Sequence, residues 1–447
     1  MRTLSDRFLF LFIILSVLGT IKIYIGGNLN WAIALAVLGL SLFFSQSAFA
    51  YKQRLAAVAT ELRQHIPLLA GWALFIGGIA LAAAMNGGTG FYTLAKYFAL
   101  LAVFLVLLLI RVSPGNLEYA VKLALVVAMS SFLLFAVFRV NDALVILGDG
   151  RMGWLAVWPG VLWKAGAYAW PIVLWRCLKS PDWKAIVIAS LALAAMAVDG
   201  SRTSLIWLSL TWVLVLGCGI RFKLPARSFR THAALLVIAA FTFTMVQPVL
   251  LGWAQGHYDA LITQKIEQVR AFSFSADTAP TTNPGTGNLD TPTELPQLGT
   301  NVSSERLVHG NTTTRKAMLQ EGWKQAVDKF PWGGGFGTTM VDDNGSRTVI
   351  HMTYLQILGD EGILALAGYL LIVLYPLYRA LRYMNERRDL QIARFELMLP
   401  SVSILALYML TGLLHPLSNE LTEWALILAA TATIIIYGKS DHVARRH

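Results

Sequence analysis

Residues 94–110 read LAKYFALLAVFLVLLLI, and after Lys96 no charged side chain appears for the rest of the stretch. Coiled as a helix, seventeen residues rise about 26 Å, close to the ~30 Å of a bilayer's hydrocarbon core. The same pattern recurs along the chain. Further apolar runs lie at Phe8 to Ile25, Trp31 to Ala50, Pro67 to Ala84, Leu117 to Phe138, Trp154 to Leu178, Ala185 to Val198, Thr203 to Ile220, Ala233 to Leu251, Ile363 to Tyr378, Leu397 to Leu414 and Trp424 to Tyr437. The first follows Arg2 and Arg7 like a signal peptide, but no small-residue cleavage site comes after it, so it is expected to stay as a span. Of the 447 residues, 56% are hydrophobic and 14% charged, with mean hydropathy +0.59. Soluble domains carry nearer a quarter charged, so a soluble enzyme is excluded. The expectation is an all-α polytopic membrane protein of twelve transmembrane helices.

The charges assign sides. Lys and Arg resist translocation and collect in cytoplasmic loops. With twelve spans both termini share a side, and that side holds 22 of the 36 basic residues against eight acids. Most of the net +11 therefore reports topology, with both termini cytoplasmic. No soluble stretch interleaves Lys and Arg with stacking aromatics, so nucleic acid is not an expected partner. Cys177 and Cys218 fall at cytoplasmic helix ends, where thiols stay reduced.

Three parts follow: spans 1–9 over residues 1–252, a large outer segment over 253–362, and spans 10–12 with a cytoplasmic tail over 363–447. The middle of the outer segment, Ala271 to Thr300, is rich in Thr, Pro, Gly and Asn and has too few apolar residues for a core, so it reads as a mobile flap. Its flanks have helical spacing. Tyr258 to Phe272 carries Leu261, Ile262, Ile266 and Val269, while Thr314 to Phe330 sets Leu319, Trp323, Ala326 and Val327 on one expected face before Pro331 and Gly333 to Gly335.

Several outer residues stand out. Arg202 begins the eighth span behind Ser201, a plausible cap, although a cation in a first turn opposes the helix dipole. Free first-turn amides and a guanidinium together make an anion site. The plainer reading pairs Arg202 with Asp199 or a lipid phosphate. Arg315, with Lys316, repeats the arrangement behind Thr313 and Thr314, and either faces water or Glu321 or shares a diphosphate with Arg202. His351 lies in RTVIHMTYLQILGDEGILAL close to Tyr354, as a candidate base or an interfacial anchor. His415, near Glu420, is the alternative base. Lys164 sits close to the outer leaflet if its helix starts near Val161, and about 15 Å deep if it starts at Trp154. Arg139 is an outer loop cation for which binding and surface charge are not separable. No HExxH, CxxC or DxD appears, and no Walker loop, GxSxG or GxGxxG, so neither a metal nor a cofactor is expected. The pair Asp342 and Asp343 in VDDNGS reads as an Asx turn.

The segment HMTYLQILGDEG resembles the His-Asn-x-x-Leu-x-x-Leu-x-Glu-x-Gly stretch of the lipopolysaccharide O-antigen ligases. His351, Leu355, Leu358, Gly362 and Asp360, in the Glu place, match, while Met352 stands where Asn is common. DGSRTS is similar to that family's Ser-Arg at a periplasmic helix start and matches Arg202. TTRKAMLQEGWKQAVDKFPWGGGFG is similar to its Arg, Trp and Pro-x-Gly-x-Gly stretch and matches Arg315. The resemblance spans the chain in architecture, with one large periplasmic loop before the last three helices. It implies a GT-C glycosyltransferase of the bacterial inner membrane that moves O-antigen from undecaprenyl diphosphate to a sugar of lipid A-core on the periplasmic side. No nucleotide sugar, metal or other cofactor takes part. Arg202 and Arg315 would clamp the diphosphate with Lys164 or Arg139, His351 would take the acceptor proton, and Tyr354 and His415 would line the site. An O-antigen polymerase or protein O-oligosaccharyltransferase uses the same donor, although polymerases tend to have two sizeable periplasmic loops. A flippase of lipid-linked sugars would need broken helices and midplane charges, where only Lys164 fits. A non-catalytic scaffold would leave the outer cations dispensable.

Overall fold

The structure is a computed structural model that describes residues 3–18, 27–45, 48–87, 90–138, 144–146, 152–154, 161–180, 182–198, 201–246, 312–343, 346–386, 391–415 and 421–438. Fourteen α-helices make up nearly all of the described chain. In order they are α1 (Leu4–Leu18), α2 (Gly27–Phe44), α3 (Ala48–Arg63), α4 (Ile66–Met85), α5 (Phe91–Ile110), α6 (Pro114–Phe138) and α7 (Val161–Lys179). Then come α8 (Trp183–Val198), α9 (Arg202–Arg221), α10 (Ala226–Phe241, continued by a π turn to Val246), α11 (Thr312–Asp328), α12 (Thr353–Asn385), α13 (Gln391–Gly412) and α14 (Leu421–Tyr437). Helices α4, α5, α6, α9, α12 and α13 are long and apolar enough to cross a membrane, and α2, α8, α10 and α14 hold shorter apolar stretches. The chain is an all-α, multi-pass membrane protein.

Two boundaries differ from the sequence expectation. The run Trp31 to Ala50 is not one helix, because α2 ends at Phe44 and the surface helix α3 starts at Ala48. Its sequence AYKQRLAAVATELR is built of strong helix formers, which a search for long apolar runs passes over. The run from Trp154 does not begin a helix either. Met152–Trp154 (β2) pairs antiparallel with Leu144–Ile146 (β1), and α7 is described from Val161.

A helix that is apolar all round belongs in the middle of a bundle. Helices α7 and α14 fit that rule, being buried along almost their whole length. Around α14 the rings of Trp72, Phe75, Tyr97, Tyr369, Tyr408 and Trp424 interlock, with neighbouring centroids about 5 to 6 Å apart. The most intimate pairing is α4 with α12. A Cβ on Gly368 would lie 2.3 Å from the Phe75 nitrogen, and one on Gly78 would lie 2.5 Å from the Ala365 nitrogen. In lipid no hydrophobic force drives helices together, so small residues let the backbones themselves touch. At the end that the charge count gives to the cytosol, Glu118 bridges Lys122 and Arg176, and Lys179 meets Glu396 at 2.6 Å.

Candidate functional site at the outer end of the bundle

Helix α12 is broken at Gly362, where φ is 81° and ψ −178°, a conformation open to glycine. Breaking a helix frees amides and carbonyls that must find partners when buried. The loop after α11, PWGGGFGTT, supplies them. Ile363 donates its amide to the Pro331 carbonyl at 3.0 Å, and the amides of Gly334 and Gly335 donate to the carbonyls of Gly359 and Asp360, each at 2.8 Å. Contact is so close that a Cβ on Gly333 would lie 2.4 Å from the Asp360 carbonyl oxygen.

The Asp360 side chain completes the clasp. It is fully buried and accepts the amides of Gly337, Thr338 and Thr339 at 2.9, 3.1 and 2.7 Å, with Gln356 Nε2 at 3.3 Å. A carboxylate holding several backbone amides is among the stronger hydrogen-bonding arrangements in a protein. Lys329, at the end of α11, donates to the Thr338 carbonyl at 2.9 Å. Burial pushes its ammonium below the ordinary value, with the Asp360 carboxylate pulling the other way. The position matched to the ligase Glu is therefore a structural anchor that fastens the outer segment to the helix. Beside it Glu361 is buried, and its Oε1 meets no hydrogen-bond partner among the described residues. Sequence reading matched Asp360 to the family Glu and missed the anchor. The run of glycines on one segment facing Asp-Glu-Gly on the other was the available signal.

Four of the expected residues are linked indirectly, through contacts made by their neighbours. Arg202 is the first residue of α9, and Ser201 is its N-cap in an extended conformation, although the serine hydroxyl makes no cap bond. Five residues on, Trp207 Nε1 donates to the Ala167 carbonyl of α7 at 2.9 Å. Lys164 lies one turn nearer the N-terminal end of α7, in the first turn of the helix as described from Val161. Its neighbour Trp163 stacks on His415, with centroids 6.3 Å apart and planes 23° apart. The His415 carbonyl accepts the Thr353 hydroxyl at 2.9 Å, two residues from the half-buried His351. Arg202, Lys164, His415 and His351 are thus joined in series by contacts among α9, α7, the end of α13 and α12. Tyr354 turns into the bundle, where its hydroxyl donates to the Met409 carbonyl at 3.1 Å and its ring packs against Gly412. Its part is to hold α12 on α13.

Arg315 belongs to α11, whose Gly322 faces Ile350 and Leu355. It stands seven residues, about 10 Å along the axis, from that contact with the residue before His351. The face of α11 is not as expected. Met318, Gly322 and Ala326 pack inward because small Gly322 admits the Ile350 side chain, and this turns Leu319, Trp323 and Val327 outward. The pair Asp342 and Asp343 lies in a strand, Met340–Asp343 (β3), that pairs with Ser346–Val349 (β4); Asn344 and Gly345, on which the expected Asx turn depends, lie outside the described residues. Arg139, the helix expected at Tyr258 to Phe272 and the flap from Ala271 to Thr300 lie outside the described residues.

Below the cluster an apolar cleft of about 270 Å³ runs between α7, α9, α12 and α13. Trp207, Leu214, Val215, Leu399 and Val402 line it, and Arg221 stands at its far end. Compared with known proteins, the chain matches no family model and no curated protein sequence.

Proposed function

We propose that the chain is a metal-independent, inverting glycosyltransferase. In this reading it moves O-antigen from undecaprenyl diphosphate to a sugar hydroxyl of lipid A-core on the periplasmic face of the bacterial inner membrane, as a twelve-span protein of the GT-C type. The observation that supports the reading is the series of contacts linking the segments that carry Arg202, Lys164, His415 and His351, with an apolar cleft that includes Trp207. Diphosphate is a good leaving group once its developing charge is neutralised, and fixed cations do that in place of a divalent ion. Arg202 and Arg315 hold the diphosphate, with Lys164 beside them in the first turn of α7. The acceptor oxygen attacks the anomeric carbon from the side opposite the diphosphate, His351 takes the hydroxyl proton, and the C–O bond to the carrier breaks with its electron pair leaving on undecaprenyl diphosphate. The polyprenyl chain lies in the cleft that starts beside Trp207.

The test is purified protein incubated with undecaprenyl-diphosphate-linked glycan and lipid A-core, with EDTA and without ATP. Glycan joined to lipid A-core supports the proposal. Glycan joined to more glycan or to a protein identifies a polymerase or a protein oligosaccharyltransferase, and movement of intact donor across a bilayer identifies a flippase.

A further inference from the structure

The outward side of α11 is unlike an ordinary water-facing helix. Leu319, Trp323 and Val327 recur every fourth residue and are 40%, 61% and 53% exposed; Phe330 and Trp332 extend the stripe at 58% and 45%. Five large apolar side chains on one short segment exceed the scattered exposure normal for a soluble surface. Around the helix this stripe has the packed residues Met318, Gly322 and Ala326 on one flank and the exposed Lys316, Gln320 and Lys324 on the other. Residues 315–329 hold four cations, Arg315, Lys316, Lys324 and Lys329, against the two acids Glu321 and Asp328.

The clasp sets the height of this stripe. The amide of Ile363, at the start of the second half of α12, is bonded to Pro331, and Asn86 Nδ2 at the outer end of α4 reaches the Gly333 carbonyl at 3.4 Å. Phe336 lies against Gly90 at the start of α5, where Phe91 and Tyr92 are both more than half exposed. The segment that carries the apolar stripe therefore meets exposed aromatic side chains at the start of a membrane helix, which is where Trp and Tyr concentrate in membrane proteins. Lysines beside such a stripe reach up to lipid phosphates while their stems stay apolar.

We propose that α11 is an interfacial helix whose Leu319, Trp323 and Val327 stripe is sunk into the adjacent leaflet and held by anionic phospholipid headgroups at Lys316 and Lys324. Such a helix binds by buried apolar area plus attraction to acidic lipid. It would hold Arg315 at the membrane surface whatever reaction the site performs, so the inference stands apart from the proposed transfer.

The test uses the full chain with Cys177→Ala and Cys218→Ala, in nanodiscs of phosphatidylethanolamine and phosphatidylglycerol. An environment-sensitive dye is placed on a single cysteine at W323C, or at L319C as a second site, with Q320C as the reference. Doxyl groups on the upper acyl chain should quench the dye at 323 and 319 about twofold more than at 320. The difference should shrink with K316E and K324E together, or when phosphatidylglycerol is replaced by phosphatidylcholine. A dye at 323 that emits as in water, or that is shielded but unquenched because another protein segment covers it, overturns the proposal. So does quenching indifferent to both the lysines and the acidic lipid.

Discussion

Helix α12 is held by two contacts of opposite character. Its membrane half lies on α4 through Gly71, Gly78, Ala365 and Gly368, a seam made by backbones in van der Waals contact. Its N-terminal half is held by hydrogen bonds, with one buried carboxylate and two carbonyls collecting the amides of a glycine-rich loop whose Pro331 carbonyl accepts the Ile363 amide in return. Apart from the His65–Tyr375 hydrogen bond at its far end, the seam rests on close packing and fails when something larger is inserted. The clasp tolerates no loss of its acceptor, because buried amides would be left unpaired. Glycines serve both, in one place for closeness alone and in the other, at Gly362, for closeness and a backbone angle that other residues resist.

Overfilling the seam should do the most damage. Gly368→Leu puts side-chain atoms where the Phe75 backbone sits, and helices α4 and α12 must separate. A loss of well over 3 kcal/mol is expected, read as failure to purify a monodisperse protein in detergent. Asp360→Ala comes next, at about 3 to 5 kcal/mol, since it strands a set of amides beside a buried cavity. Asp360→Asn keeps one acceptor oxygen and should lose roughly half as much. Thermal melting orders these variants, and proteolysis of the D360A protein should begin within residues 331–339. If D360A and D360N melt together with the wild type, the clasp is not what holds the outer segment. Lys329→Met removes the bonds to the Thr338 carbonyl and hydroxyl and the attraction to Asp360 at a half-buried site, and should cost about 1 kcal/mol. The smallest effect is on pH dependence. Because burial lowers the Lys329 pKa in the folded protein, the unfolded chain binds more protons between that value and the ordinary 10.5. Clasp stability should rise slightly with pH across that window, and the rise should be absent in Lys329→Met.

Apolar run length made the membrane class and most helices legible in the sequence, since a span's chemistry is carried by composition alone. Surface helix α3 escaped because its alanines, leucines and charges do not form a long run. The start of the run before α7 escaped because Trp154 is apolar enough to pass as helix while it ends strand β2. The site was legible as separate letters: Arg202, Lys164, His351 and His415 were each singled out, but their linkage runs through Trp207 with Ala167, Trp163 with His415 and Thr353 with the His415 carbonyl. Those contacts join residues 40 or more positions apart, which no local pattern reveals. Asp360 was named through its match to the family Glu, and its role as an acceptor of amides was not legible because its partners lie more than 20 residues upstream.

The central claim is that fixed cations at the outer end replace a divalent ion as the sugar leaves its carrier. Its most direct measurement is the transfer rate from lipid-linked glycan to lipid A-core in EDTA for Arg202→Ala and His351→Ala, with melting temperature recorded alongside. Each variant should lose about 10²-fold or more in rate while melting with the wild type. Full transfer by a folded Arg202→Ala protein, or wild-type transfer abolished by EDTA and restored by a divalent ion, would contradict it.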